Sequence, residues 1–402
     1  MEFIIEVTNF VLVTILIAIS VTWLVLIKSM LKSFSKTPYL DKFEVKEHEK
    51  PKVSVIIPAR NEEKLISKCL NSILDQDYEN YEIIVIDDSS EDGTAEILKK
   101  YASKNSKIIH VTARPKPKDW MGKNWACMEG FQKATGELLV YTDSDTKYSK
   151  NVLSLAVSHL LSLKLDALTV IPKLLCFDNW TRITLPMLST FLHTRFSALR
   201  VNDPSKKTGY FFGSFFIIKK SVYEAIGTHE GVKHEIIEDG ALGKKVKEGG
   251  YNLRMVRGEH LLEAVWARNK PTLWNGLKRL MIPLFLQGKR IAIGVFVAVL
   301  FLLLIPFPIL VFSMIFFEYT ISFMMLLIFS LLACVLIYVG GFIDATKGLQ
   351  LRKIYTLFVP VGSFIVVSGF LTGMIQANSR NSVSWRGRRY SMKEHAVSSL
   401  EV

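Results

Sequence analysis

Long hydrophobic stretches at both ends of the chain restrict most strongly what it can fold into. Residues 3–27 are almost uncharged, and three more apolar stretches follow at residues 291–317, 321–343 and 355–375. Each is long enough to cross a hydrocarbon core of about 30 Å as a helix. These stretches help to explain why 50% of the residues are hydrophobic. The sequence therefore predicts a membrane protein with a globular part between its ends.

The first apolar stretch has the features of an anchor and not those of a signal peptide. It starts with Glu2 instead of a basic segment, its apolar part is too long, and no small-residue cleavage site follows it. Five lysines come directly after it: Lys28, Lys32, Lys36, Lys42 and Lys46. By the positive-inside rule, we expect an anchor at residues 1–30 and a cytoplasmic globular domain after it.

The remaining chain divides by composition. We expect a globular domain at residues 46–270, an interfacial segment at 271–290, about three membrane helices at 291–377 and a basic tail at 378–402. Three further spans would put this tail outside the cell, which the positive-inside rule disfavours. A re-entrant segment near residues 306–308 or 360–373 would remove the conflict, and so would an external tail. The sequence leaves these alternatives open.

The formal net charge of +13 raises the question of nucleic-acid binding. The basic residues cluster beside the apolar stretches and in the tail, which favours an anionic membrane surface as the partner and no nucleic acid. The four cysteines are scattered without a Cys-x-x-Cys pair, so neither a zinc site nor a disulfide framework is indicated. The cysteine pattern agrees with a reducing compartment.

The globular part alternates strands and helices. Apolar runs at residues 53–58, 81–86, 107–111 and 137–141 read as strands, with helical periodicity between them. This order predicts a doubly wound, mostly parallel sheet. Asn61 is expected to cap the first helix of this region. Residues 180–199 predict a helix that lies in the membrane surface, is buried or forms a lid.

Acidic residues follow several of the predicted strands. Asp143 and Asp145 come directly after one strand, and Asp87 and Asp88 follow another. Ligands of open α/β sheets bind at the carboxyl ends of the strands, and carboxylate oxygens suit a hard divalent cation. No glycine-rich phosphate motif follows any strand. We therefore expect a nucleotide to be held here mainly by acids and a metal.

These motifs resemble family 2 glycosyltransferases. The resemblance covers residues 51–258 and rests on the segment Val-Ile-Ile-Pro-Ala-Arg-Asn-Glu-Glu at residues 55–63, on the acidic strand ends, and on the pair Glu238-Asp239. The segment Asp-Trp-Met-Gly-Lys at 119–123 and Trp-Arg-Gly-Arg-Arg-Tyr at 385–390 look like those of hopene-associated and staphyloxanthin-type carotenoid glycosyltransferases. The resemblance implies a GT-A nucleotide-diphospho-sugar transferase fold, α/β with helices on both faces of the sheet, plus transmembrane helices at both ends.

The resemblance also implies roles for individual residues. Asp239 would be the catalytic base, with Glu238 beside it. Asp145 would bind magnesium or manganese, and Asp143 would contact the ribose or donor sugar or act as a second metal ligand. The other expected donor contacts are Pro58, Arg60, Glu62, Asp88 and Lys123. Gly213 and Ser214 would lie in the acceptor loop. Lys278 or Arg279 would replace the Gln-x-x-Arg-Trp motif, which this chain lacks.

The implied function is an inverting, metal-dependent transfer of a sugar from a nucleotide-sugar to a lipid-soluble acceptor, and the resemblance favours a UDP-sugar as the donor. A terpenoid or carotenoid, a glycerolipid and a polyprenyl phosphate are all open as acceptors. The alternatives are a processive polysaccharide synthase and a non-catalytic membrane scaffold.

Several of the charged and aromatic residues also have simpler, structural interpretations. Asp87 and Asp92 are expected to cap a helix, Glu238 could be an ordinary helix charge, and Trp120 could be core. Three histidines are read as surface or loop residues without a metal: His229, His234 and His260. Three arginines near the end of the chain could reach lipid headgroups or a diphosphate: Arg386, Arg388 and Arg389.

Overall fold

The computed structural model describes residues 2–42, 50–378, 383–385 and 388–390. It separates into two compact units. A helical unit comprises Met1–Lys36, Cys176–Ser197 and Ala267–Ile375, and an α/β unit comprises Thr37–Leu175, Ala198–Trp266 and Gln376–Val402. The hydrophobic ends of the chain thus belong to one unit, together with a helix from its middle.

The α/β unit is built on a seven-stranded sheet with the order β3-β2-β1-β4-β8-β6-β9. Strand β8 runs antiparallel to both of its neighbours, and the other pairs are parallel. A smaller sheet has the order β5-β10-β7. The strands of the two sheets are β1 (Val53–Ala59), β2 (Tyr81–Asp87), β3 (Ile108–Thr112), β4 (Leu138–Tyr141), β5 (Lys147–Tyr148), β6 (Ala167–Ile171), β7 (Lys173–Cys176), β8 (Phe216–Lys219), β9 (Leu253–Arg257) and β10 (Leu262–Ala267). A separate antiparallel pair is formed by β11 (Val383–Trp385) and β12 (Arg388–Tyr390).

Helices cover both faces of the large sheet. Every residue of β1 and β2 is buried, as expected for strands that are covered on both sides. Val55 packs in one core with the helices α2 and α5, and Ile56 packs in the other core with α4 and α9. The helices of this unit are α2 (Ile66–Leu74), α3 (Thr94–Lys104), α4 (Gly122–Phe131), α5 (Val152–Ser162), α7 (Ala198–Val201), α8 (Lys220–Ala225) and α9 (Glu238–Glu248).

The role expected for Asn61 as a helix cap is wrong. Asn61 has a φ of 54°, and α2 begins only at Ile66, after Leu65, without a side-chain cap. The Asn61 side-chain oxygen instead accepts a hydrogen bond from the backbone N–H of Glu91, at 2.8 Å. The loop after β1 therefore pairs with the loop after β2, and this pairing delays the start of the helix.

The helical unit contains the hydrophobic segments. Its helices are α1 (Glu2–Lys36), α6 (Asn179–Phe196), α10 (Lys270–Gln287), α11 (Lys289–Leu303), α12 (Pro306–Ile315), α13 (Ile321–Ile343) and α14 (Val359–Asn378). Three stretches are long and apolar enough to cross a membrane: Phe3–Lys36, Ile321–Gly348 and Lys353–Asn378. The pair formed by α11 and α12, bent by 46°, would be a fourth. The expected apolar helices at both ends are thus present.

Candidate active site

The carboxyl ends of three neighbouring strands lie at one edge of the large sheet. The register pairs Ala59 at the end of β1 with Asp87 at the end of β2. The backbone N–H of Asp88 donates to the carbonyl of Ala59 at 2.8 Å. On the other side of β1, Ile56 pairs with Tyr141 of β4, so the acidic turn at residues 143–145 leaves from the same edge. Asp88 is buried, and Asp143 and Asp145 are half-buried.

Lys123 lies between carboxylates from two distant parts of the chain. Its Nζ is 2.7 Å from Asp143 Oδ1 and 2.6 Å from Glu238 Oε1. Burial acts to lower the pKa of Lys123, but the charges of Asp143, Glu238 and Asp239 outweigh it and hold this pKa well above its ordinary value. Lys123 therefore remains a cation at neutral pH, at the start of α4 and opposite the start of α9.

Asp239 is held by two backbone donors. Its Oδ2 accepts a hydrogen bond from the N–H of Gly213 at 2.9 Å, and its Oδ1 accepts one from the N–H of Gly240 at 2.8 Å. Burial, with the neighbouring charges of Glu238 and Asp143, raises the pKa of Asp239 to about 7, against the opposing effect of Lys123. A carboxyl that titrates near neutral pH is suited to accept a proton in a reaction.

Gly213 lies against the charged groups of the site. A Cβ at this position would be 2.9 Å from Asp239 Oδ2, 3.1 Å from Lys123 Nζ and 3.2 Å from Asp143 Oδ2. The next residue, Ser214, is buried, and its carbonyl accepts a hydrogen bond from Thr142 Oγ1 at 2.7 Å. Within the described part of the chain, Ser214 Oγ has no hydrogen-bond partner. The loop expected on the acceptor side thus contacts the acidic cluster directly.

The loops after β1 and β2 are joined by Arg60. Its Nη1 donates to the carbonyls of Asp88 and Ser89, both at 2.6 Å, and its Nη2 is 3.1 Å from Glu91 Oε1. Glu62 is buried, and its N–H donates to Thr94 Oγ1 at 2.8 Å. Pro58 is buried within β1. The base and ribose contacts expected of these residues and of Asp88 stay predictions.

Asp87 and Asp92 are not the cap of α3 as expected, because the N-cap residue is Gly93, without a side-chain cap; both aspartates bond to nearby backbone instead. Asp87 Oδ1 accepts from the N–H of Ser90 at 3.1 Å. Asp92 Oδ1 accepts from the N–H of Thr94 at 3.0 Å, and its Oδ2 accepts from the N–H of Glu63 at 3.2 Å. Both residues therefore stabilise the turn that precedes α3.

Asn124 is a structural part of the site that sequence reasoning missed. It is 1% exposed. Its side-chain amide donates to the carbonyls of Val232, at 2.7 Å, and Glu235, at 3.1 Å. These bonds join the start of α4 to the segment that leads into α9, and so they set Lys123 opposite Glu238. The only signal in the sequence was a polar residue beside Lys123, and its distant partners could not be read from it.

His229 lies in a turn, as expected of a loop residue, but the expectation that it is at the surface is wrong. His229 is buried, with its Nδ1 2.5 Å from the Tyr223 hydroxyl and its ring 4.9 Å from that of Tyr141. Burial and the charge of Lys123 lower its pKa to about 3, so the ring is neutral. His260, in contrast, is 44% exposed at its side chain and lies 2.9 Å from Asp41.

The donor set of the site suits a metal that arrives with a ligand. Among the described residues, no group of three or more His, Cys, Asp or Glu side chains could hold a metal ion by itself. The acidic turn offers Asp145 and Asp143, and Asp143 is also paired with Lys123. Magnesium is commonly bound by one or two carboxylates together with substrate phosphates. The residues therefore fit a cation shared with a diphosphate, and not a cage made by the protein alone.

Two further groups of expected site residues lie elsewhere. Lys278 and Arg279 are in α10 of the helical unit, and their diphosphate contact stays a prediction. In the motif at residues 385–390, Arg386 and Gly387 are outside the described residues, and Arg388 and Arg389 belong to β12. The alternatives of lipid headgroups and a diphosphate stay open for these arginines.

Comparisons with known proteins agree with this architecture. Residues 54–227 match a family model described as "Glycosyl transferase family 2". The chain is 31% identical to the 4,4'-diaponeurosporenoate glycosyltransferase of Staphylococcus haemolyticus over 196 residues, and this alignment covers 48% of this chain and 50% of that protein. It is 24% identical over 238 residues to a Bacillus subtilis glycosyltransferase named for teichuronic acid biosynthesis, over 54% of this chain and 93% of that protein. The chain thus spans about half the length of the diaponeurosporenoate glycosyltransferases that it matches.

Among solved structures, the chain resembles the mannosyltransferase PcManGT from Pyrobaculum calidifontis, determined in complex with GDP-Man and Mn²⁺. The TM-score is 0.55 at 18% sequence identity, and the match covers 90% of this chain and 99% of that chain. At this identity the likeness bears on the fold. The predicted GT-A architecture is confirmed.

Proposed function

We propose that this chain, which carries a family 2 glycosyltransferase domain, transfers a sugar from a nucleotide-sugar to a lipid-soluble acceptor. One observation carries the proposal: the cation Lys123 lies between Asp143 and Glu238, beside an Asp239 carboxyl that titrates near pH 7. Such a cluster combines a positive charge for a departing diphosphate with a base for an attacking hydroxyl. The names of the diaponeurosporenoate relatives support a lipid-soluble acceptor.

The proposed reaction is a single displacement at the anomeric carbon. The acceptor oxygen forms a bond to this carbon while the bond to the diphosphate oxygen breaks, and the electron pair of that bond stays on the diphosphate. Asp239 takes the proton of the acceptor hydroxyl, which contributes about 10²–10⁴-fold to the rate of such reactions. A single displacement inverts the configuration at the anomeric carbon.

Lys123 stabilises the negative charge that develops on the diphosphate, because a cation fixed in advance needs no reorganisation during the reaction. Asp145 and Asp143 would hold a magnesium or manganese ion, which supplies further charge neutralisation at the phosphates when it is bound. Arg60, Glu62 and Asp88 would border the base and ribose. We propose a UDP-sugar as the donor and a cytoplasmic position for the site.

Donor binding and product analysis together test this function. The purified full-length protein should bind a UDP-sugar, and UDP-glucose and UDP-N-acetylglucosamine are the probes to use first, with GDP-mannose in parallel. Binding should require Mg²⁺ or Mn²⁺ and should be lost on addition of a chelator. Lipid extracts from cells with and without the protein should differ by a species heavier than its acceptor by one sugar.

Other outcomes favour the alternatives. A product with a distribution of chain lengths would indicate a polysaccharide synthase. If no nucleotide-sugar binds with either metal, a non-catalytic scaffold is favoured and the transfer reaction is wrong.

Gly213→Ala should lower turnover strongly without unfolding the protein. The added Cβ would meet Asp239, Lys123 and Asp143 at 2.9–3.2 Å, so these groups must shift by some tenths of an ångström. Misplacement of catalytic groups by about 1 Å can cost about 10²-fold in rate, and we expect a loss of about 10-fold or more in kcat. Gly294→Ala is the matched control, because nothing lies within 4 Å of a Cβ there. Equal kcat values for the two variants would contradict the role of Gly213.

A further inference from the structure

The path of α14 within the helical unit differs from that of a membrane span. By length and composition, the stretch Lys353–Asn378 could cross a bilayer. Beyond its first residue, which lies near α13, however, α14 packs against α6 and α10. Gly362 lies against the backbone of Ile183, and the ring of Phe370 is 5.3 Å from that of Phe191. The two contacts are equally spaced along the helices, at Ile183 and Phe191 in α6 and at Gly362 and Phe370 in α14. Helices α14 and α6 therefore run side by side in the same direction.

The second neighbour of α14 is α10. A Cβ at Gly369 would be 2.7 Å from Leu277 Cβ, and a Cβ at Gly373 would be 2.6 Å from the backbone oxygen of Lys278. Glycines at these positions let the two helices approach closely. The second half of α14 thus lies against a helix that carries Lys278 and Arg279.

The neighbour α6 cannot cross a membrane. The chain enters it from β7, which ends at Cys176, and leaves it into α7, which begins at Ala198. Both connections lead into the α/β unit, so both ends of α6 must be on the side of the membrane where that unit lies. The helix also carries Arg182, His193 and Arg195, which are costly in hydrocarbon. Because α14 follows α6, it is placed at the same side.

Three other segments account for the crossings. Asn9 of α1 donates to Ser322 of α13 at 3.4 Å, and further along both helices Gly340 leaves room for the ring of Trp23. Helices α1 and α13 therefore run in the same direction. Gly348, after the end of α13, contacts Phe34 near the end of α1.

The bent pair α11–α12 crosses in the opposite direction. In α12, the ring centre of Phe307 is 6.0 Å from that of Tyr338, and the ring centre of Phe312 is 6.4 Å from that of Phe323. Helix α12 is therefore antiparallel to α13. The two helices have 15 and 10 residues, or about 37 Å at 1.5 Å per residue, which is enough for one span. The break at residues 304–305, directly before the proline-rich start of α12, is therefore a bend within a span and not the tip of a re-entrant loop.

The beginning of α14 is at the end of the unit where α1 and α13 end. Thr190 Oγ1 of α6 donates to Asp344 Oδ2, directly after α13, at 3.3 Å. The ring of His193 is 5.7 Å from that of Phe34 in α1. A Cβ at Gly341, near the end of α13, would be 2.8 Å from Val359, the first residue of α14. Helix α14 thus starts at this level and follows α6.

We propose that α14 does not cross the bilayer but lies in one leaflet, on the side of the membrane where α1 ends. Its most exposed apolar residues form one narrow stripe: Val361 (43%), Phe364 (59%), Leu371 (43%) and Ile375 (61%). The turn before it, Lys353–Phe358, also exposes Ile354, Leu357 and Phe358 beside Arg352 and Lys353. The partner of this surface is the acyl-chain region of that leaflet, with the basic residues at its headgroups.

The number of crossings removes the conflict with the positive-inside rule. With three spans, α1, α11–α12 and α13, the chain after Asn378 continues on the side where α1 ends. The basic tail is then on the same side as the α/β unit, which follows α1 directly in the chain. Arg388 and Arg389 are thereby on the side from which the proposed nucleotide-sugar would arrive.

Accessibility of single cysteines tests this topology. Cys176, the one native cysteine that is not buried, is first replaced by serine. Asn378→Cys, Lys353→Cys and Tyr319→Cys are then made separately, Tyr319 being 96% exposed in the turn between α12 and α13. A membrane-impermeant maleimide should label Asn378→Cys and Lys353→Cys in inverted vesicles and Tyr319→Cys in right-side-out vesicles. Labelling of Asn378→Cys from the same side as Tyr319→Cys would overturn the proposal.

Two further measurements test the topology, and the first of them uses no cysteine variant. Alkaline phosphatase, which is active only outside the cytoplasm, should be inactive when it is fused after Val402 of the unchanged chain; activity would overturn the proposal. A fluorophore on Leu371→Cys in vesicles should be quenched more by a spin label high on the acyl chain than by one near its end. The reverse order would place this part of α14 at the bilayer centre, as in a spanning helix, and would also overturn it.

Discussion

Replacing Asp239 by asparagine should abolish sugar transfer and leave donor binding nearly unchanged. Asparagine has the same shape, and its carbonyl oxygen can accept the hydrogen bond that Asp239 receives from Gly213. It cannot take a proton from the acceptor. We expect kcat to fall by about 10²–10⁴-fold, the contribution of a positioned general base. Turnover with purified acceptor and the Kd for the donor are the two measurements.

The pH profile gives this variant a second readout. Since burial and Glu238 raise the pKa of Asp239 to about 7, the wild-type rate should rise as pH increases through 7, where the carboxyl loses its proton. The residual rate of Asp239→Asn should lack this rise. Glu248→Gln, at the other end of α9 and largely exposed, is the matched control and should retain the wild-type profile. Turnover of Asp239→Asn at the wild-type level would rule out the base assignment.

Replacing Lys123 by methionine should affect both activity and stability. The substitution removes the cation that lies between Asp143 and Glu238. Loss of one fixed group that stabilises transition-state charge costs about 10²–10³-fold in kcat. Loss of one partner of a fully buried ion pair costs about 3–5 kcal/mol in the free energy of unfolding. Because Lys123 is 26% exposed, solvent screening should make the cost here smaller.

The destabilisation by Lys123→Met should depend on pH. Without the lysine, burial and the charges of Glu238 and Asp143 act on Asp239 without the opposing effect of Lys123, so the pKa of Asp239 in the folded protein lies further above that of the unfolded chain. The folded state then binds more protons, and the variant should become more stable as pH falls. The difference in Tm between variant and wild type, measured in detergent, should therefore be smaller at pH 5.5 than at pH 8.

Lys118→Met is the control for this experiment. Lys118 lies in the loop that precedes α4 and is exposed, so its replacement should change neither kcat nor Tm at either pH. If Lys123→Met behaves like Lys118→Met, the ion pairs around Lys123 do not contribute to the site as argued. A Tm difference that grows at low pH would contradict the electrostatic explanation.

The strands and the acidic strand ends could be read from the sequence because their signals are local. The apolar run at residues 53–57 has no polar alternation, and β1 is buried on both faces. Once parallel strands are inferred, their carboxyl ends must lie at one edge, so Asp88 and Asp143 are expected close together. Some local predictions were wrong. Asn61 pairs with Glu91 instead of capping α2, and α3 follows Gly93 without a side-chain cap from Asp87 or Asp92. His229 lies in a turn, as expected of a loop residue, but it is buried against Tyr223.

The sequence alone indicated an α/β domain between hydrophobic ends, with acids at its strand ends, because the alternation of strands and helices follows from short-range periodicity; the GT-A fold was implied by the family resemblance. Tertiary structure was needed for the contacts between distant parts of the chain: Lys123 with Glu238, Gly213 with Asp239, and the hydrogen bond from Asn124 to the segment before α9. It was also needed for the path of α14, whose composition allows a span while its contacts with α6 and α10 indicate a surface helix. Each of these contacts joins residues far apart in the chain, and no local pattern encodes which distant surfaces will meet.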